Sequence, residues 1–218
     1  MRKTSQKPDF QGPPKDCELC PRLVDFRTAN QRQFPDWHNG AVPAFGPLDA
    51  SLLVVGLAPG LRGANRTGRP FTGDYAGGLL YPSLLKYGRA RGTYKAEFDD
   101  GLELVDCRIT NAVRCVPPAN KPTPLEQKTC QSTFLIPEIA AMPRLRSILV
   151  LGRIAHDAVM ATLGLRKSAY PFAHAATHNL DGKLSITDSY HCSRYNLNTG
   201  RLTAPMFHAA LERALSAT

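Results

Sequence analysis

The chain contains no apolar run approaching the ~20 residues that a membrane-spanning helix requires, which argues against a helical membrane protein. The first 14 residues are polar and lack the apolar centre of a secretory signal, so a cytoplasmic, nucleoid-associated location is expected. Acidic residues are sparse: 18 Asp and Glu stand against 27 Lys and Arg, for a formal net charge of +9. That imbalance disfavours cationic partners and favours a polyanion such as nucleic acid. No Walker loop and no Gly-x-Gly-x-x-Gly fingerprint occurs, which excludes two common ways of binding nucleotide phosphates. Internal repeats are absent as well.

What is present suits a globular α/β protein. With 218 residues the chain can build one sizeable core, and 18 prolines and 17 glycines imply many fixed loops. Residues 1–14 read as a flexible arm and 15–218 as a single domain. The run Ser51-Leu52-Leu53-Val54-Val55-Gly56 has the continuous apolar character of a strand buried on both faces. Similar strands are expected over 105–113, 147–151 and 184–189. Helices are expected over 23–33, 79–91, 124–139, 153–163 and 204–215, with Thr123 and Thr203 as caps. Strands alternating with helices predict a three-layer sandwich, a mostly parallel four-stranded sheet with helices on both faces. Such sheets bind ligands at the C-terminal ends of their strands.

Six cysteines in a reducing compartment point to metal or reactivity rather than disulfides. Cys17-x2-Cys20 is a turn that lets two thiolates share one centre, and Cys115 and Cys130 supply a second, wider pair. Four thiolates suit zinc or a [4Fe–4S] cluster. The loose second pair favours the larger cluster. Unrelated burial of the thiols is the plainer alternative. Cys107 and Cys192 are expected to serve packing.

Three polar loops follow strands. The first, Gly56-Leu57-Ala58-Pro59-Gly60 and onward to Asp74, lets backbone amides approach a ligand closely. Arg62, Arg66 and Arg69 are candidate phosphate contacts. Phe71 is either a base-stacking ring or a core residue. Asp74 either orients water or caps the helix after it. In the second loop, Asn111 can read a pyrimidine edge or anchor the loop. The third, residues 189–201, combines His191, hydroxyls, arginines and tyrosine without an acid, which suits contact with DNA.

Taken together, these segments resemble the family 5 (type b) iron–sulfur uracil-DNA glycosylases, over about residues 17–215. Residues 56–74 look like the family's first motif, and Leu57-Ala58-Pro59-Gly60 lacks the acid of the related family 4. Residues 111–122 look like the second motif. His191-Cys192-Ser193 and Asn198-Thr199-Gly200-Arg201-Leu202 look like the third, with Cys192 where proline is usual. The resemblance implies a uracil-DNA glycosylase-like fold and a [4Fe–4S] cluster on Cys17, Cys20, Cys115 and Cys130; a monomer is the default expectation for an enzyme that scans DNA. The resemblance also implies catalytic roles for Asp74 and His191. Phe71, Asn111, Asn120, Ala58 and Gly60 would surround the base. Arg62, Arg66, Arg69, Ser193, Arg194 and Tyr195 would meet DNA, Tyr195 as a wedge filling the vacated stack. A monofunctional hydrolase without a Schiff-base step is expected, acting on uracil and on other deaminated bases such as hypoxanthine. Rival readings are a non-catalytic iron–sulfur or zinc nucleic-acid-binding module and a nucleotide hydrolase acting on small molecules.

Overall fold

The computed structural model describes residues 10–218, so most of the arm expected over 1–14 lies outside the described residues. In chain order the elements are α1 (Pro21–Gln33), β1 (Leu52–Gly56), α2 (Ala64–Thr67), α3 (Tyr75–Lys86), β2 (Ala90–Arg91), β3 (Glu103–Leu104) and β4 (Cys107–Asn111). There follow α4 (Pro124–Cys130), α5 (Ile136–Ala141), β5 (Ser147–Leu151), α6 (Arg153–Thr162), β6 (Thr177–Leu180), β7 (Leu184–Ser189), α7 (Arg194–Asn198) and α8 (Ala204–Leu215). A π-helical turn, Gln131–Leu135, joins α4 to α5 and replaces the continuous helix expected there.

The main sheet has five strands in the order β4-β1-β5-β7-β6, one more than expected. Strands β4, β1, β5 and β7 run parallel, and β6 pairs antiparallel with β7 at the edge. The missed strand is short and polar, and it carries no apolar run to betray it. A usable signal was the Asp181-Gly182 pair between β6 and β7. Both residues have positive φ, 48° and 66°, as a tight hairpin turn of this type demands.

Alternation along β1 divides the core. Leu52 and Val54 pack with Leu80 and Leu84 of α3 and Phe207 and Leu211 of α8. Leu53 and Val55 face the opposite way, toward Val159 and Met160 of α6. All four side chains of β1 are fully buried, which is why the run reads as continuously apolar. Helix α4 starts as expected: Thr123 Oγ1 accepts from Glu126 N at 3.2 Å, and Glu126 Oε2 accepts from Thr123 N at 2.7 Å, a complete capping box. Among the described residues, no helix is long and apolar enough to cross a membrane.

Candidate active site

The parallel register sets Gly56 beside Asn111, so the loops after β1 and β4 leave the sheet together. The loops after β5 and β7 join them. Between the four lies a pocket of about 980 Å³. Ala58, Gly60, Phe71, Asp74, Asn111, Asn120 and His191 all line it.

Phe71 sits at φ +52°, a conformation that bulky residues seldom adopt and that persists only where its surroundings enforce it. Tyr81 Oη donates to the carbonyl of the preceding Pro70 at 2.5 Å, and Tyr94 Oη donates to that of Phe71 at 3.4 Å. The ring is 6% exposed and lies 6.1 Å from the His191 ring, tilted by 35°. Its placement depends on Gly56, where a Cβ would come within 2.4 Å of Phe71 Cζ and 2.5 Å of Asn111 Oδ1. Asn111 ends β4 and is buried, yet its Oδ1 has no hydrogen-bond partner. A buried amide oxygen left unpaired costs about 1–3 kcal/mol, and a ligand edge can remove that cost.

The capping reading of Asp74 holds, and its second oxygen is left for the pocket. Its Oδ1 caps α3, accepting from Ala76 N at 3.1 Å and Gly77 N at 3.4 Å. Its Oδ2 faces Gly60 and Gly63, and a Cβ at Gly63 would come within 2.4 Å of it. One carboxylate oxygen is therefore fixed by backbone amides, while the other stays available to the pocket. The His191 ring has no hydrogen-bond partner among the described residues. Asn196 Nδ2 donates to its backbone carbonyl at 2.9 Å. Burial lowers the His191 pKa, and the Asp74 charge opposes that shift only in part. The imidazole is accordingly neutral at neutral pH, able to donate from one nitrogen. Asp74 also acts on Tyr94, whose hydroxyl is pushed up to about 12 by burial first and by this carboxylate second.

The expected DNA contacts divide. Arg62, Ser193 and Arg194 line the pocket. Ser193 Oγ caps α7 by accepting from Asn196 N at 3.3 Å, and the Arg194 guanidinium lies 5.0 Å over the Tyr75 ring. Tyr195 stands outside the pocket wall, 69% exposed. Arg66 does not line the pocket; it turns to Glu97 at 3.4 Å and to the Arg62 carbonyl at 3.3 Å. Arg69 is no phosphate contact. It is 2% exposed, forms two 2.8 Å bonds to Asp100, and lies among the rings of Phe45, Tyr81 and Tyr94. Those bonds hold the Asp100 carboxyl well below the usual carboxylate range, against the opposing effect of burial. Lys121, in the second motif, is exposed and is not part of the pocket wall. The sequence reading missed Tyr75, Phe172, His174 and Tyr190, which also line the pocket. Tyr75 directly follows Asp74 and Tyr190 directly precedes His191, which was the available signal.

Beside the pocket, Cys17, Cys20, Cys115 and Cys130 surround a small hollow with Leu23, Val113 and Phe134. Cys20 precedes α1, and Cys130 ends α4. Arg22 clips these helices together, donating to Glu126 at 2.7 and 2.6 Å. Arg114 N donates to Cys130 Sγ at 3.3 Å. Burial raises Cys115 to about 12 and Cys130 to about 11, and neighbouring cysteines add to both shifts. The thiolates would repel one another, and a bound cation would relieve that. Tetrahedral zinc with bonds of ~2.3 Å would draw the sulfurs to roughly 3.8 Å apart. Four thiols around one hollow are a donor set that fits a four-cysteine centre. Cys107 and Cys192 are fully buried in the core, as expected.

A model of the uracil DNA glycosylase superfamily matches residues 43–215. A Type-5 uracil-DNA glycosylase of Thermus thermophilus is 47% identical over 204 residues, covering 91% of this chain and 92% of that protein. One from Pyrobaculum aerophilum is 40% identical, covering 94% and 91%. One from Mycobacterium bovis is 37% identical, covering 87% and 74%.

Proposed function

The chain belongs to the uracil DNA glycosylase superfamily, and we propose that its pocket receives a uracil turned out of DNA and that Asp74 and His191 break the bond holding it. Membership makes it a DNA-repair hydrolase of N-glycosyl bonds. The observation that carries the residue assignment is the convergence of Phe71, Asp74, Asn111 and His191 on one pocket from loops far apart in sequence.

The base leaves the duplex at an unstacking cost of a few kcal/mol. It stacks on Phe71, and the unpaired Asn111 amide meets its edge. Cleavage of the C1′–N bond sends the electron pair onto uracil and leaves positive character on the sugar. His191, neutral, donates to the uracil carbonyl where the negative charge gathers; one such preorganised donor is worth about 2.7–4 kcal/mol. Asp74 Oδ2 balances the sugar charge and orients water. The water oxygen bonds to C1′, its proton passes by way of Asp74 to the departing uracil anion, and the products are free uracil and an abasic site. Other deaminated bases such as hypoxanthine fit the same wall of contacts. The reaction stays hydrolytic, with water and not a lysine as the nucleophile.

Cys17, Cys20, Cys115 and Cys130 would hold a [4Fe–4S] cluster, which supplies a cross-link of α1 to the sheet and takes no part in bond cleavage. Arg62, Arg194 and Tyr195 would meet the DNA, with the protein acting as a monomer.

Release of uracil from an oligonucleotide, wild type against Asp74→Asn, tests the reading. Abasic sites formed by the wild type and lost in the variant support it. Binding without abasic sites would favour the non-catalytic module instead.

A further inference from the structure

We infer that His156, which lies outside all three motifs, is a positioning residue for His191, acting through a buried histidine–aspartate pair. The inference rests on the reading of His191 given above. The His191 ring has no hydrogen bond to hold it, so its pose is inherited from its backbone. That backbone leaves the end of β7, where Gly152 N holds the Ser189 carbonyl, Asn196 Nδ2 holds the His191 carbonyl, and residues 170–176 pack against the residues just before it.

His156 on α6 and Asp188 on β7 are 1% and 0% exposed. His156 Nδ1 lies 2.7 Å from Asp188 Oδ1, and its Nε2 lies 2.9 Å from the Tyr170 carbonyl oxygen. Both ring nitrogens are thus engaged, which fixes the ring between Asp188 of β7 and the Tyr170 carbonyl. The donors of His156, His178 and Asp188 lie within 4.8 Å of one another, a spacing that would suit a metal. Both His156 nitrogens are already engaged, however, which leaves it no lone pair for an ion.

From Asp188 the contacts run to residues 170–176. Its Oδ2 accepts from Ala173 N at 3.2 Å and lies 3.3 Å from His178 Nε2. Its backbone accepts from Ala175 N at 2.8 Å and donates to the Ala176 carbonyl at 2.9 Å. With Tyr170 tied to His156, the segment is fixed at both ends and in the middle. It presents His174, whose Nδ1 accepts from Tyr190 N at 3.1 Å and whose ring stacks on Tyr190 at 4.8 Å and 18°. Tyr190 is the residue before His191. Loosening the buried pair should let the catalytic ring drift, with little effect on how DNA binds.

A double-mutant cycle in the full chain tests this. His156→Gln should lower the single-turnover rate of uracil release roughly tenfold, while the Kd for uracil-containing DNA stays within about twofold. In a His191→Ala background the same change should alter the residual rate by less than about twofold, because its route of action is gone. His174→Ala, half-buried and outside the pair, should show a smaller loss that also vanishes in that background. It keeps the test open if His156→Gln does not fold by circular dichroism. Equal losses in both backgrounds, or a wild-type rate in His174→Ala, would overturn the inference. A wild type that releases no uracil would instead sink the assignment of function.

Discussion

The pocket and the cysteine hollow meet at Ala58, which lines one and packs against the other, yet they are built on opposite terms. The pocket leaves groups unsatisfied in an open space: the Asn111 Oδ1, the His191 ring and the free oxygen of Asp74. The hollow crowds four thiols among apolar side chains, with hardly any free space. Unpaired polar groups around an open volume suit a ligand that comes and goes. Four crowded thiols, which would repel one another once deprotonated, suit a cation that stays. On the proposed reading, the same loops would serve turnover on one side and cross-linking on the other.

This contrast is sharpest at Asp74. Asp74→Asn keeps a good helix cap but loses the charge, so uracil release should fall by about 10²–10⁴-fold while thermal melting barely moves. A variant that stayed active would erase the distinction. His191 comes next. Burial holds its pKa below the ordinary 6.5, and the neutral ring dominates above that pKa, so activity should fall only as pH drops through a limb lower than 6.5. Asp74 works against burial by raising the value. An NMR titration of His191 in Asp74→Asn should therefore shift to still lower pH; an upward shift would contradict the pairing.

The hollow should respond in the reverse sense. Cys115→Ser should abolish the iron content and visible absorbance and lower Tm by several degrees, at ~2–4 °C per kcal/mol, while activity per folded molecule changes little. In protein stripped of metal, Cys115 and Cys130 have folded values of about 12 and about 11, against an ordinary thiol value of 9.0. A raised folded value gives stability that is complete below pH 9 and is lost as pH rises through 11–12, which alkaline denaturation scans can follow. The smallest effect belongs to the pocket mouth. Arg194→Ala should weaken DNA binding a few-fold and reduce the salt slope by about 1. Arg69→Ala, by contrast, should leave the slope unchanged and cost about 3–5 kcal/mol of stability, because it strands buried Asp100.

The strands at 147–151 and 184–189 and the helix at 204–215 were legible because their apolar spacing and caps are local. So were the four cysteines and the run of motif residues. Helix α3 begins at Tyr75, earlier than the apolar pattern alone suggests, because Asp74 caps it there. The arginines of the first loop could not be told apart by their own neighbours in sequence: Arg62 reaches the pocket, Arg66 turns to Glu97 and Arg69 is swallowed by the core.

Composition, periodicity and motif by themselves determined a basic α/β protein and named four cysteines and a short set of pocket residues as candidates. Tertiary structure alone decided which groups were left unpaired, which arginine met Asp100 and which histidine met Asp188. The reason is range. Propensity and capping act across a few residues, whereas burial and pairing bring together partners as distant as Arg22 and Glu126, 104 positions apart.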